Sequence, residues 1–347
     1  MGLKAVKLFF KSFLLIFTIL ILVLGVIGML SPYVSPGQNI YIAYAGLALP
    51  AILFIAFLLF IFWLSDKSWI SLIPLLVIII NYQYITSMFQ INVFSARDSL
   101  HSNSTVKIAT YNIHYFNNIK GDVPVNSIAN YMSDQKIDIL CLQEFAPHSL
   151  LNMDETLGAF DFFPYSTLLD NSSPEAGLVI FSRFPIKYMG MLKIESLSNG
   201  VLWADIEHPG GQILRIINAH LETTGLSRSS QLGFNKKIKI IGDNFKLREK
   251  QVNILSYFID SSKTPVILCG DFNDTPSSYT YKKAKGNLTD GFKEAGSGLG
   301  GTFMHKSNML RIDYIMYSNQ FKGIRYYSGY QKWSDHYPVL TELELTR

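Results

Sequence analysis

Residues 266–276 read VILCGDFNDTP: an apolar run and a glycine, then an acid, an aromatic, an amide and a second acid. Such a run reads as a strand covered on both faces that delivers polar groups at its carboxyl end. Asp271 and Asn273 are two residues apart, so on an extended chain they share a face and Phe272 takes the other. One anionic and one neutral oxygen donor side by side suit a hard cation and a phosphate. Taken alone, a strand-end acid is also an ordinary solvated turn residue. Other apolar runs are marked in the same way. Asn112 follows one, Glu144 another, and His220 a third; Asp313 lies near the start of a further run, and Asp335-His336 precedes the last. Each has a bland reading by itself: Asn112 as a cap, Glu144 as a solvated acid, His220 as a satisfied buried histidine, Asp313 as the ion-pair partner of Arg311. Their convergence in type is harder to dismiss. Together they supply what in-line hydrolysis of a phosphoester needs: a group to activate water, a site for a cation, and fixed donors for the charge on the phosphoryl oxygens.

The elements that must position these groups alternate irregularly. Apolar or alternating runs predict strands at 106–111, 137–142, 177–182, 201–207, 213–218, 266–269, 311–317 and 339–345. Helical spacing marks 125–135 and 246–259, with a short helix at 279–285. Short strands mixed with helices point to an α/β protein of two packed mixed sheets with outer helices rather than one doubly wound sheet. The run GSGLGG at 296–301 has no strand before it and no Lys-Ser/Thr after it, so it reads as a flexible loop rather than a phosphate loop. Residues 223–250 read as a long connection rich in lysine and arginine. It is either a solvated face or a basic flap reaching for lipid headgroups or a phosphorylated substrate, with Phe234 and Ile238 among its charges.

The first hundred residues are of another kind. Residues 12–30 and 40–64 carry no charge, and each is close to or beyond the roughly 20 residues needed to cross a bilayer as a helix. A weaker third run, 69–85, contains Pro74, Asn81 and Gln83. These runs predict a transmembrane region over 1–88, with spans at 9–30, 40–64 and 68–87, then a polar linker at 89–105 and a catalytic domain at 106–347. A lipid bilayer is thus one partner, and nothing in the sequence points to a protein partner. Lys4, Lys7 and Lys11 precede the first span and favour a cytoplasmic N-terminus. Three spans then put the catalytic domain on the outer side, whereas two would leave it in the cytoplasm.

The 347 residues are 49% hydrophobic and carry a net charge of +4, of which +3 falls in residues 1–100. The remainder is close to neutral and lacks the basic excess of a general nucleic-acid binder. The two cysteines, Cys141 and Cys269, each sit in an apolar run just before a polar motif and read as buried thiols, not a disulfide framework.

The motifs TYNIHYF (110–116), DILCLQEF (138–145), NAHLE (218–222), CGDFND (269–274), RIDYI (311–315) and SDHYPV (334–339) stand in the order found in the endonuclease/exonuclease/phosphatase superfamily. The chain resembles that group, which includes DNase I-like nucleases, inositol polyphosphate 5-phosphatases and neutral sphingomyelinases, over residues 105–347. The resemblance implies a four-layer sandwich of two mixed β-sheets flanked by helices. It also implies a divalent cation, Mg²⁺ or Mn²⁺, held mainly by Glu144 with Asn112 close by. Asp271 would align or deprotonate the attacking water, and Asn273 would hold a phosphate oxygen or the nucleophile. His220 and His336 would donate to the phosphate oxygens, Asp313 would orient His336, and Asp335 would lie near the metal or the nucleophile. His114 stands where some nucleases of the group carry an acid, which leaves open whether one ion or two bind. Three functions follow for comparison: a membrane-anchored phosphodiesterase or phosphatase acting on a lipid headgroup or small phosphoester, a membrane-tethered nuclease, and a catalytically silent binding module. The complete set of polar strand ends weighs against the third, and the near-neutral domain against the second.

Overall fold

The computed structural model describes residues 3–92, 104–117, 124–147, 151–168, 174–196, 199–225, 232–304 and 310–346. They form two compact units, one of residues 1–86 with 276–282 and one of residues 87–275 with 283–347.

The first unit is helical. Helices α1 (Leu3–Leu30) and α2 (Ile40–Ser65) are followed by a 3₁₀ turn (Trp69–Ser71), α3 (Leu72–Ile80) and α4 (Tyr82–Met88). Ala5–Leu30 and Ile40–Ser65 are long and apolar enough to cross a membrane. They have no water-facing stripe: Phe9 and Ile16 of α1 and Phe54 of α2 point outward, while Leu49, Ile52 and Trp63 are buried. The indole N–H of Trp63 donates to Thr18 Oγ1 at 2.9 Å, and Lys11 pairs with Asp66 at 2.6 Å. The third span expected at 68–87 is not one straight helix. Trp69–Ile80 and Tyr82–Met88 meet at 59° across Asn81. The side chain of that residue donates to the carbonyls of Val77 and Gly25, a local amide–backbone bond that competes with helix continuation.

The second unit runs β1 (Phe89–Gln90), β2 (Thr105–Asn112), α5 (Val125–Asp134), β3 (Ile139–Gln143), α6 (Met153–Gly158), β4 (Tyr165–Ser166), β5 (Val179–Ser182), β6 (Ile186–Met191), β7 (Gly200–Glu207), β8 (Ile213–His220), α7 (Phe234–Asp260) and β9 (Val266–Asp271). After α8 (Tyr279–Lys285) come β10 (Thr289–Asp290), α9 (Gly291–Ala295), β11 (Gly298–Leu299), β12 (Asp313–Tyr317), β13 (Phe321–Ser328) and β14 (Val339–Leu345). Two six-stranded sheets have the orders β13-β14-β2-β3-β5-β4 and β10-β12-β9-β8-β7-β6. Only β2–β3 and β8–β9 are parallel among the described pairs of these sheets, so both sheets are mixed.

Alternation along the strands builds the layers. Ile108 on β2, Cys141 on β3, Ile267 and Cys269 on β9 and Ile315 on β12 meet between the sheets. Ala109 and Tyr111 of β2, with Leu140 and Leu142 of β3, face the other way onto Ile128 and Met132 of α5. On the outside of the second sheet, Trp203 of β7 meets Phe258 of α7 with ring centroids 5.8 Å apart. The result is helix, sheet, sheet, helix. Both cysteines are free and buried.

Several boundaries differ from expectation. The helix expected at 246–259 begins at Phe234 and runs 27 residues, so most of the supposed connection 223–250 is helix rather than flap; Arg228 lies outside the described residues. Its first turns are the polar ones, where the apolar spacing is weakest. GSGLGG contains β11, which pairs with β1. The linker assigned to 89–105 therefore opens as a strand, and its residues 93–103 lie outside the described ones. The strand expected at 311–317 starts at Asp313, because Arg311 is turned into a buried bidentate pair with Asp290.

Candidate active site

Strand register brings the polar ends into rows. His220 of β8 lies beside Asp271 of β9, and Asp271 lies beside Asp313 of β12. In the other sheet Asn112 of β2 lies beside Gln143 of β3, and Glu144 follows at once. The glycine before Asp271 is required by its place. Gly270 has φ +135°, and a Cβ there would overlap the Ala219 carbonyl of β8.

Asp271 Oδ2 is the point on which the groups converge. The Asn112 amide donates to it at 3.1 Å, and the Nε2 atoms of His336 and His220 stand 3.7 and 3.8 Å away. The same Asn112 Nδ2 donates to Glu144 Oε1 at 3.2 Å, with His220 Nε2 at 3.7 Å from that oxygen. His336 Nδ1 faces Asp313 Oδ2 at 2.9 Å. Asn273 donates its backbone N–H to Asp271 Oδ1 at 2.7 Å, and its side-chain amide donates to the Leu221 carbonyl at 3.0 Å. Asn112, Glu144, His220, Asp271, Asn273, Asp313 and His336 therefore form one cluster. Asp335 stands at its rim. It lies 3.8 Å from His114 Nδ1, and both side chains are more than one-third exposed.

Burial and neighbouring charge set the protonation states. Burial, and then the charge of Asp313, push the Asp271 carboxyl up to about 6. For His336 burial opposes the charged form, but the carboxylates of Asp313 and Asp271 outweigh it and raise the imidazole to about 10. At neutral pH Asp271 is thus an acceptor of tunable basicity and His336 a charged donor.

Three carboxylates, Glu144, Asp271 and Asp313, converge here, and among the described residues their ion pairs are with histidines. That donor set, rich in hard oxygens and short of lysine and arginine, fits a divalent cation. Asp271, Asp313 and His336 can each offer an atom within 4.8 Å of the others. Asp313 and His336 are already bonded to each other and fully enclosed. Glu144, with 20% of its side chain exposed, is the more open of these carboxylates. Asn112 turns its NH₂ toward the carboxylates, while its oxygen accepts from the His114 N–H at 3.1 Å; as placed it braces Glu144 rather than offering an oxygen beside it.

Other contributors were not singled out from the sequence. Gln143 and Asn218, from different sheets, bond at 2.6 Å beneath the cluster, and Asn218 also donates to the Leu142 and Val179 carbonyls. Gln143 carries the signal of a single polar residue ending an otherwise apolar strand, and Asn218 that of a polar residue two before His220 near the end of β8. Ser334 Oγ donates to the Asn112 carbonyl at 2.8 Å and accepts from the His336 N–H at 3.3 Å, tying the last loop to β2.

Residues 109–232 and 244–336 match the model of the Endonuclease/Exonuclease/phosphatase family, and residues 11–88 match a domain of unknown function. Protein angel homolog 2 of Danio rerio is 27% identical over 170 residues, which is 47% of this chain and only 30% of that protein's length. Among solved structures, an endonuclease/exonuclease/phosphatase from Beutenbergia cavernae is similar with TM-score 0.52 and 19% identity, over 70% of this chain and 72% of that one. The human Nocturnin catalytic domain with bound sulfate is similar with TM-score 0.52 and 17% identity, over 70% of this chain and 95% of that one. At such identities the likeness is one of fold.

Proposed function

The chain belongs to the endonuclease/exonuclease/phosphatase family of phosphoester hydrolases, and from that footing we propose that it is a membrane-anchored, divalent-cation-dependent phosphodiesterase or phosphatase. The observation that carries this reading is the meeting of Asn112, His220 and His336 on one oxygen of Asp271. Asp271 aligns the attacking water and accepts its proton. Asn273, whose NH₂ is engaged by Leu221, keeps its side-chain oxygen as an acceptor for that water. His336, held charged by Asp313, donates to a phosphoryl oxygen as negative charge builds there, and His220 donates from the other side. Asp335 and His114 border the cluster on the substrate side. A divalent cation, Mg²⁺ or Mn²⁺, held by Glu144 with Asn112 bracing it, would supply neutralisation of charge on the phosphoryl and leaving oxygens.

The near-neutral catalytic part favours a lipid headgroup or small phosphoester over nucleic acid. With α3 and α4 counted as one bent crossing, Lys4, Lys7 and Lys11 at the start of α1 favour a cytoplasmic N-terminus and hence an extracytoplasmic catalytic unit. A reporter fused after Arg347 that is active only in the cytoplasm would overturn that orientation. The function is tested on purified full-length protein with a chromogenic phosphodiester and a phosphomonoester, with Mg²⁺ and with EDTA. Cation-dependent turnover that Asp271→Asn abolishes is expected, and turnover unaffected by either change would sink the mechanism. Phospholipid headgroup release set against plasmid nicking then identifies the substrate class, with nicking alone deciding for a nuclease.

A further inference from the structure

Helix α7 carries two long polar side chains on its buried face. Arg248 and Gln251, three residues apart and both fully buried, interrupt an apolar face that includes Phe245, Val252 and Leu255. An enclosed guanidinium is unfavourable unless its partners compensate it, so what it touches is informative. Among the described residues the other fully buried arginine, Arg311, forms a bidentate hydrogen-bonded pair with the Asp290 carboxylate and lies against the Phe292 and Tyr314 rings. Arg248 is used differently. Its Nη1 donates to two backbone carbonyls, those of Glu222 and Asn273, the second at 2.8 Å. Its Nε lies 3.2 Å from Asp274 Oδ2, and the guanidinium sits over the Phe245 ring.

Those carbonyls belong to two different loops. Glu222 lies two residues beyond His220 in the loop after β8, and Asn273 lies two residues beyond Asp271 in the loop after β9. Further bonds tie the same pair of loops. The Leu221 N–H donates to the Asp271 carbonyl at 3.0 Å, the Asn273 amide returns to the Leu221 carbonyl, and Thr224 Oγ1 donates to the Asn273 carbonyl at 3.1 Å. Gln251 adds a bond from the Glu222 N–H at 2.9 Å. Arg248 is the group that reaches both loops and the helix together.

We propose that Arg248 is a positioning residue for hydrolysis. By clamping the loops after β8 and β9 it fixes Asn273 relative to Asp271 and His220, while touching neither substrate nor cation. The inference rests on the hydrolase reading above. A misplacement near 1 Å of a catalytic group lowers rate by about 100-fold, and Arg248→Met removes every polar contact while keeping a long apolar stem.

The test is a double-mutant cycle on the full-length protein with a chromogenic phosphodiester and saturating Mg²⁺: wild type, Arg248→Met, Asn273→Ala, and the pair. Arg248→Met is expected to lower kcat about 100-fold with KM within about threefold. In the Asn273→Ala background it is expected to add less than about threefold, because the group it positions is already gone. Arg248→Lys, which keeps a charge near Asp274 but lacks the fork for two carbonyls, should fall between wild type and Arg248→Met. A folded Arg248→Met with wild-type kcat, or losses that simply multiply in the double variant, would overturn the proposal. If Arg248→Met does not fold, Arg248→Lys takes its place in the cycle under the same criteria. A wild type inactive on every phosphoester overturns the hydrolase reading and this inference with it, whereas an active wild type indifferent to Arg248 overturns the positioning role alone.

Discussion

Asp271 makes the folded, cation-free protein sensitive to pH in a direction opposite to that of most carboxylates. Its carboxyl is raised from an ordinary 3.8 to about 6 by burial and by Asp313. The folded state therefore holds that proton more tightly than the unfolded chain. Its contribution to stability is fully present below pH 4 and is lost as pH rises through 6. Two pKa units correspond to about 3 kcal/mol, or about 6–12 °C of melting temperature for a unit of this size. His336, raised from 6.5 to about 10, stays protonated in the folded state but begins to lose its proton in the unfolded chain above about pH 6, so near the top of this window it adds a smaller loss of the same sign. The perturbation is Asp271→Asn, and the assay is thermal melting of EDTA-treated protein from pH 4 to 7. Wild type minus variant isolates the Asp271 contribution from the rest of the titrating surface. The wild type is expected to lose about 6–12 °C relative to the variant across that range. Added Mg²⁺ is expected to restore stability at pH 7 and to do far less at pH 4, where Asp271 is protonated. Parallel melting curves for the two proteins, or a Mg²⁺ effect independent of pH, would refute the reasoning.

Three further outcomes can be checked directly. Asp313→Asn leaves His336 without its 2.9 Å carboxylate partner and is expected to lower kcat by about 100-fold or more, with the alkaline limb of the pH–rate profile moving to lower pH; an unchanged profile would show that Asp313 does not hold the imidazole charged. Gly270→Ala forces a Cβ into the Ala219 carbonyl at φ +135° and should lower urea-unfolding stability by more than about 1 kcal/mol, beyond the usual range for surface positions. Gln143→Leu strands the buried Asn218 oxygen it bonds at 2.6 Å, with an expected loss of about 1–3 kcal/mol in the same measurement, and equal stability would mean the inter-sheet bridge adds nothing.

Continuous apolar runs made β3 and β9 legible, because both of their faces are covered and apolar residues fill them up to the polar strand ends. Strands β6 and β13 went unassigned since their burial patterns are broken and mostly partial. The start of α7 was hidden for a related reason: its first turn, from Phe234 to Lys237, is largely exposed, so no apolar stripe marks it. Residue types at the strand ends pointed to the site, but not its geometry. Glu144 and Asn273 sit at φ near +53°, and His114, Tyr115 and Phe116 are left-handed in succession. Non-glycine residues rarely adopt that backbone, so no propensity rule could place these turns. They arise from tertiary bonds such as Tyr115 N–H to the Glu144 carbonyl at 2.9 Å.

The buried polar network explains why this site tolerates so much like charge. Three carboxylates this close would repel strongly in a flexible loop, and the chain would relax by moving them apart. Here Asp271 and Asp313 are on neighbouring strands joined by backbone hydrogen bonds, and Asn112 and Gln143 are fixed by the parallel pairing of β2 with β3. Neither sheet can spread its strands without breaking those ladders, and the Gln143–Asn218 bond ties one sheet to the other just below. Protonation relieves the crowding instead: burial and then Asp313 raise Asp271, and the carboxylates of Asp313 and Asp271 overcome burial to raise His336. On the proposed reading, a divalent cation bound here would release the Asp271 proton and turn the same crowding of carboxylates into affinity for the ion. A rigid frame around a crowded carboxylate cluster would thus couple metal binding to the readiness of the proposed base.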